Sequence, residues 1–159
     1  MRDNKILATL IGCIITLTAG NVLACGESLF RVGKGVSFRE YTAPLPGSIL
    51  AVANTDAELA MVERLAAAGH DVHVVSDPTE IGDEIKNHHV DVVLAYFSDR
   101  NEVERQMSGV VAAATYIPIA KDGTLEVSQA GELYAHSLTN DDSVKQFLKT
   151  IHKTLKTKS

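Results

Sequence analysis

SILAVANTDAELAMVERLAAAGHDVHVV, residues Ser48–Val75, decides how the chain folds. Ile49 to Ala53 is an unbroken apolar run. A strand with one wet face would alternate, so a run of this kind predicts a strand covered on both faces. Thr55 and Glu58 stand three apart, the spacing of a capping box at a helix start. Leu59, Val62, Leu65 and Ala66 follow at helical spacing, and Gly69 ends the helix. Val72 to Val75 reads as a second strand. A helix between two strands cannot make a hairpin; it carries the chain over the sheet to a parallel neighbour.

The alternation continues downstream. Asp77-Pro78 reads as an N-cap and first-turn pair with Glu80 in the box position, and Ile81 and Ile85 form the apolar stripe. Val90 to Phe97, the most apolar stretch of the domain, predicts a third strand. Asp99 with Glu102 is expected to cap a third helix carrying Val103 and Met107. Tyr116–Ala120 reads as a fourth strand, Leu125–Ala130 as a short irregular or helical piece, and Leu133–Leu138 as a weak fifth strand. Asp141 or Asp142 is expected to cap a last helix with Val144, Phe147, Leu148, Ile151 and Leu155 on one face. Five strands alternating with five helical stretches predict an α/β domain at residues 48–158, a three-layer doubly wound parallel sheet.

Upstream, residues 1–24 read as a signal peptide. Arg2 and Lys5 precede an uncharged run from Ile6 to Ala19, and Val22-Leu23-Ala24 ends in a small residue suited to cleavage. The run falls short of the roughly 20 residues that span a bilayer. Cys25 follows directly and resembles the lipidated cysteine of a lipobox, although Val22 and Leu23 depart from the preferred residues there. Ordinary cleavage at the same bond is the alternative. Cys13 leaves with the signal, so Cys25 has no intramolecular disulfide partner, and a lipid thioether would remove a lone exported thiol. Gly26 in place of Asp resembles the outer-membrane sorting pattern. These features predict a periplasmic protein, anchored to the outer membrane only through lipid on Cys25. Residues 25–47 form an N-terminal arm. Phe30, Val32, Val36 and Phe38 alternate with polar residues around Gly33-Lys34-Gly35, a pattern for a hairpin that either packs on the domain or pairs with a partner.

The chain has 15 basic and 20 acidic residues; loss of Arg2, Asp3 and Lys5 leaves 13 and 19, a formal charge of −6. That balance argues against nucleic acid, which requires a basic footprint. There is no metal-binding cysteine pair, phosphate loop or nucleophile elbow. His88-His89 are adjacent and are not expected to face one ion, so neither metal nor cofactor is expected.

From Ser48 to Leu155 the order of elements resembles a response-regulator receiver domain. Ile49–Asn54 is similar to its first strand, Ala67–Asp77 to the stretch around its second, and Asp91–Tyr96 to its third. Ala130-Gly131 and Asp141–Ile151 are similar to the end of its fourth helix and to its last helix. The resemblance implies strand order 2-1-3-4-5. It also implies an acidic pair for Mg²⁺ where this chain has Ala53 and Asn54, and a phosphoacceptor aspartate where it has Tyr96. The family's Thr/Ser falls near Ala120 and its lysine near His136 or Ser137. Without these carboxylates the acyl-phosphate chemistry is lost. A pseudo-receiver without catalytic activity is therefore expected, docking an envelope protein or a second copy through the last helix or the arm. The basic outer face of that helix (Lys145, Lys149, Lys153, Lys156 and Lys158) would serve such docking. The alternative is a periplasmic small-ligand-binding protein using the strand-end crevice. Asn54, Thr55 and Asp56, then Tyr96, Ser98 and Asp99, then Lys121, then His136 and Ser137 are expected to line that crevice.

Overall fold

A computed structural model of the chain describes residues 42–109 and 114–158. The expected signal peptide, Cys25 and the expected arm as far as residue 41 lie outside the described residues. The strands are β1 (Ser48–Val52), β2 (Asp71–Val75), β3 (Val92–Tyr96), β4 (Thr115–Ala120) and β5 (Leu138–Thr139). The helices are α1 (Asp56–Ala67), α2 (Ile81–Asn87), α3 (Arg100–Ser108), α4 (Leu125–Leu133) and α5 (Val144–Lys158). All neighbours are parallel, in the order β2-β1-β3-β4-β5. This is the doubly wound α/β fold expected from the strand–helix alternation.

Two apolar layers cover the sheet. Ile49, Ala51, Val92, Leu94 and Ile117 face Leu65 of α1 and Phe147, Leu148, Ile151 and Leu155 of α5. Leu50, Val52, Val75 and Val93 face Ile81 and Ile85 of α2 and Val103 of α3. Adjacent strand residues feed opposite layers, which is why the central strands carry apolar runs and not alternation.

Local chemistry sets the ends of the elements. The Thr55 hydroxyl accepts from Glu58 N–H (3.4 Å), and Glu58 Oε2 accepts from Thr55 N–H (3.0 Å), so the capping box is closed. Gly69 follows α1 with φ +104°, a conformation that strains any residue with a Cβ. Asp77 caps the turn at Pro78–Glu80 by accepting from Thr79 N–H (2.8 Å), and α2 begins one residue later. At the entry to β1, Ala43 N–H donates to Ala68 O (2.7 Å) and Gly47 N–H to Nδ1 of His70 (3.2 Å). Residues 42–47 thus dock on the end of α1.

Four expectations are corrected. The fifth strand is Leu138–Thr139, not Leu133–Leu138. Thr124 caps α4, which runs on through Leu133, and Pro118 accounts for the short pairing beyond it. Ala120 accepts from Asn140 on the β5 side, and alternate residues face the same neighbour, so Pro118 has no N–H to offer there. On α1 the inward residues are Met61, Val62, Leu65 and Ala68, whereas Leu59 and Ala66 are exposed. Asp99 makes no side-chain cap; a 3₁₀ turn, Phe97–Asp99, leads directly into α3, and Glu102 pairs with Arg105 instead. Before α5 the capping oxygen is that of Ser143, which accepts from Gln146 N–H (3.4 Å), while Asp142 reaches back to Thr139 N–H (2.7 Å).

Candidate functional site

In this strand order β2 and β3 leave β1 in opposite directions. The sheet therefore splits its crossovers between β1 and β3 at the carboxyl edge, where such folds open a crevice. A cavity of about 290 Å³ lies there, between the sheet and helices α1 and α5. Ala51, Leu94 and Ile119 supply its floor, and Met61, Val62, Leu65 and Phe147 its walls. Thr55, Glu58, Tyr96, Asn140 and Asp141 supply its polar groups. The walls are apolar because they are the inward stripes of two amphipathic helices; the polar groups come from the end of β3, the first turn of α1 and the loops that follow β1 and β5.

Glu58 is the electrostatic centre of this rim. One carboxylate oxygen accepts from the N–H groups of both Asn54 (2.8 Å) and Thr55 (3.0 Å). The Tyr96 hydroxyl donates to the same carboxylate. Partial burial raises the carboxyl pKa, but these hydrogen bonds outweigh it and hold Glu58 below the usual range. Tyr96 moves the other way. Burial first, then the bond to Glu58 and the charges of Glu58 and Asp99, push its hydroxyl up to about 12. At neutral pH the rim thus presents a fixed anion and a neutral phenol. Tyr116 braces Tyr96 from behind by donating to Tyr96 O (2.9 Å) and packs edge-on against Tyr134, with ring centroids 5.3 Å apart.

The expected site residues divide in two. Thr55 and Tyr96 line the crevice, and Asn54 borders it through its N–H bond to Glu58. Asp56 points to solvent from the first turn of α1. Ser98 and Asp99 bond each other in the 3₁₀ turn (3.3 Å) and stay outside, and Lys121 is exposed with its N–H bonded to Glu126 (3.0 Å). His136 and Ser137 precede β5, whose register starts at Leu138 opposite Ile119, so they are not on the crevice edge. Asn140 and Asp141 stand in their place. In the sequence Glu58 reads only as a cap, and Val62, Leu65 and Phe147 only as core. His88 and His89 diverge, His88 to Glu84 (2.7 Å) and His89 to Asp91 (3.1 Å).

Among the described residues no helix is long and apolar enough to cross a membrane. No family model, curated protein or solved structure gives a significant match to this chain.

Proposed function

We propose that the protein is an exported, receiver-like binding module that is not phosphorylated and holds a small amphipathic ligand in its strand-end crevice. The apolar cavity with a polar rim at the β1/β3 switch point carries this reading. Binding rather than catalysis is favoured because the rim's polar groups already serve one another. Glu58 is committed to two N–H groups and to Tyr96. Ala53 and Asn54 offer no carboxylate beside Tyr96. The fixed Glu58 charge, with Asp141 nearby, favours a cationic or hydrogen-bond-donating head group over an anion.

Three probes of equal chain length separate these terms: hexylamine, hexanol and hexanoate. Amide shift perturbations at Ala51, Leu94 and Phe147 are expected to be strongest with the amine and weakest with the carboxylate. Silence at these amides with all three probes would refute the reading. The address belongs to the same proposal and rests on residues 1–25. Palmitate labelling lost in Cys25→Ala would support the anchor, and an unmodified Cys25 would refute it.

A second reading, docking of an envelope protein or of a second copy, is favoured by α4, which leaves Leu125 and Leu133 largely exposed. Leu125→Lys with Leu133→Lys would then abolish self-association in sedimentation or partner capture by crosslinking. Unchanged behaviour would refute it.

A further inference from the structure

A second group of polar side chains lies on the opposite face of the sheet from the crevice. β2 is an edge strand, and its residues Asp71 and His73 register with Ser48 and Leu50 of β1. Leu50 belongs to the layer covered by α2, so His73 shares that face. Helix α2 supplies Glu84 from its first turn, and His88 stands directly after its last residue. One donor atom from each of His73, Glu84 and His88 lies within 4.8 Å of the other two. The two imidazole rings pack together, centroids 4.6 Å apart and tilted by 34°. His88 Nδ1 is 2.7 Å from Glu84 Oε2, yet that oxygen is closed off from water and receives no aligned hydrogen bond. Asp71 Oδ2 is 3.5 Å from His73 Nε2.

An enclosed carboxylate oxygen without an aligned donor is costly. Two packed imidazoles beside it are the complementary half of a cation site, since neutral imidazole and carboxylate are the donors that suit zinc, copper and nickel. We propose that His73, Glu84 and His88 bind a divalent transition-metal ion and so clasp the edge strand to α2. Ligand bonds of about 2.0–2.2 Å in a tetrahedron put donors about 3.4 Å apart. Side-chain rotation opens the 2.7 Å contact of His88 with Glu84 and draws His73 in to that spacing, because all three side chains reach solvent: 27% exposed for His73, 32% for Glu84 and 46% for His88. Three protein donors leave a fourth position for water or for Asp71. Calcium and magnesium, which prefer all-oxygen shells, fit this set poorly.

The test is calorimetric titration of the full chain with Zn²⁺ alone, the thiols first blocked with N-ethylmaleimide so that cysteine cannot take the ion. One ion per chain is expected. His73→Ala, Glu84→Gln and His88→Ala should each weaken it by about tenfold or more. His89→Ala removes the neighbouring histidine that turns to Asp91 and should bind like the parent. Circular dichroism checks that each variant folds; should an alanine variant fail, His73→Gln and His88→Gln replace it. Absence of uptake, parent-like binding in the His73 and His88 variants, or an equal loss in His89→Ala would overturn the proposal.

Discussion

Leu65→Ala and Leu59→Ala lie about one and two-thirds helical turns apart, and the structure makes their costs differ severalfold. Leu65 is fully buried between α1 and the sheet, whereas Leu59 is 40% exposed. A buried Leu→Ala change costs about 2–5 kcal/mol. Leu65 also borders the crevice, so the void joins existing space and the wall relaxes little; about 3 kcal/mol is expected. At Leu59 the lost burial is partial and alanine is the better helix former, leaving about 1 kcal/mol or less. With a urea slope of about 1.5 kcal/mol/M, the midpoints should fall by about 2 M and by less than about 0.7 M. Urea unfolding followed by far-ultraviolet circular dichroism reads both, and the slopes should match the parent. Equal shifts, or a larger one for Leu59→Ala, would mean that α1 is rolled about its axis, and the crevice wall built from Met61, Val62 and Leu65 would not exist.

Glu58→Gln should cost about 0.5–1 kcal/mol at pH 7, through loss of the charge at the helix start. Glu58's folded pKa is lowered, so its contribution is complete above the ordinary carboxylate range and is lost as pH falls through the folded value. Stability of the parent should therefore decline more steeply below about pH 5 than that of Glu58→Gln; parallel profiles would refute the rim electrostatics. His70 is buried, its pKa lowered chiefly by burial, with Nδ1 accepting from Gly47 N–H. The unfolded chain takes up that proton near pH 6.5, so stability should fall as pH drops below about 6.5, and His70→Gln should flatten this slope in thermal melts. Incubation with acetyl phosphate and Mg²⁺ should leave the intact mass unchanged; a stable phosphoryl adduct would contradict the proposal that the domain is not phosphorylated.

The fold was legible because its signals are redundant. Continuous apolar strands, the Thr55/Glu58 box and Gly69 each point to the same parallel crossover, and the structure keeps all of them. The rim was half legible. Asn54 and Thr55 follow β1 and Tyr96 ends β3, strands whose ends the apolar runs mark clearly. The rest depended on where β5 begins. Leu133 to Leu138 carries apolar residues, but Leu133 belongs to a helix end, and a two-residue strand has no periodicity to read. The error moved the expected edge from Asn140 and Asp141 back to His136 and Ser137. Glu58 was hidden by having two roles, since a cap residue at a switch point also faces the crevice. The His73–Glu84–His88 group joins a strand to the following helix, and the adjacent pair His88-His89 drew notice away from the histidine that packs on it.

The proposed function stands or falls on whether the crevice is the place where ligand enters. Ala57 lines the mouth and is exposed, so Ala57→Phe closes the entrance without overfilling the core. Hexylamine titrated into the parent and into Ala57→Phe, followed by amide shifts at Ala51, Leu94 and Phe147, gives the comparison. Saturable shifts in the parent that weaken by at least about tenfold in the variant, a difference of about 1.4 kcal/mol, are the expected result. Equal affinity in both chains, or shifts confined to the outer surface of α4, would contradict it.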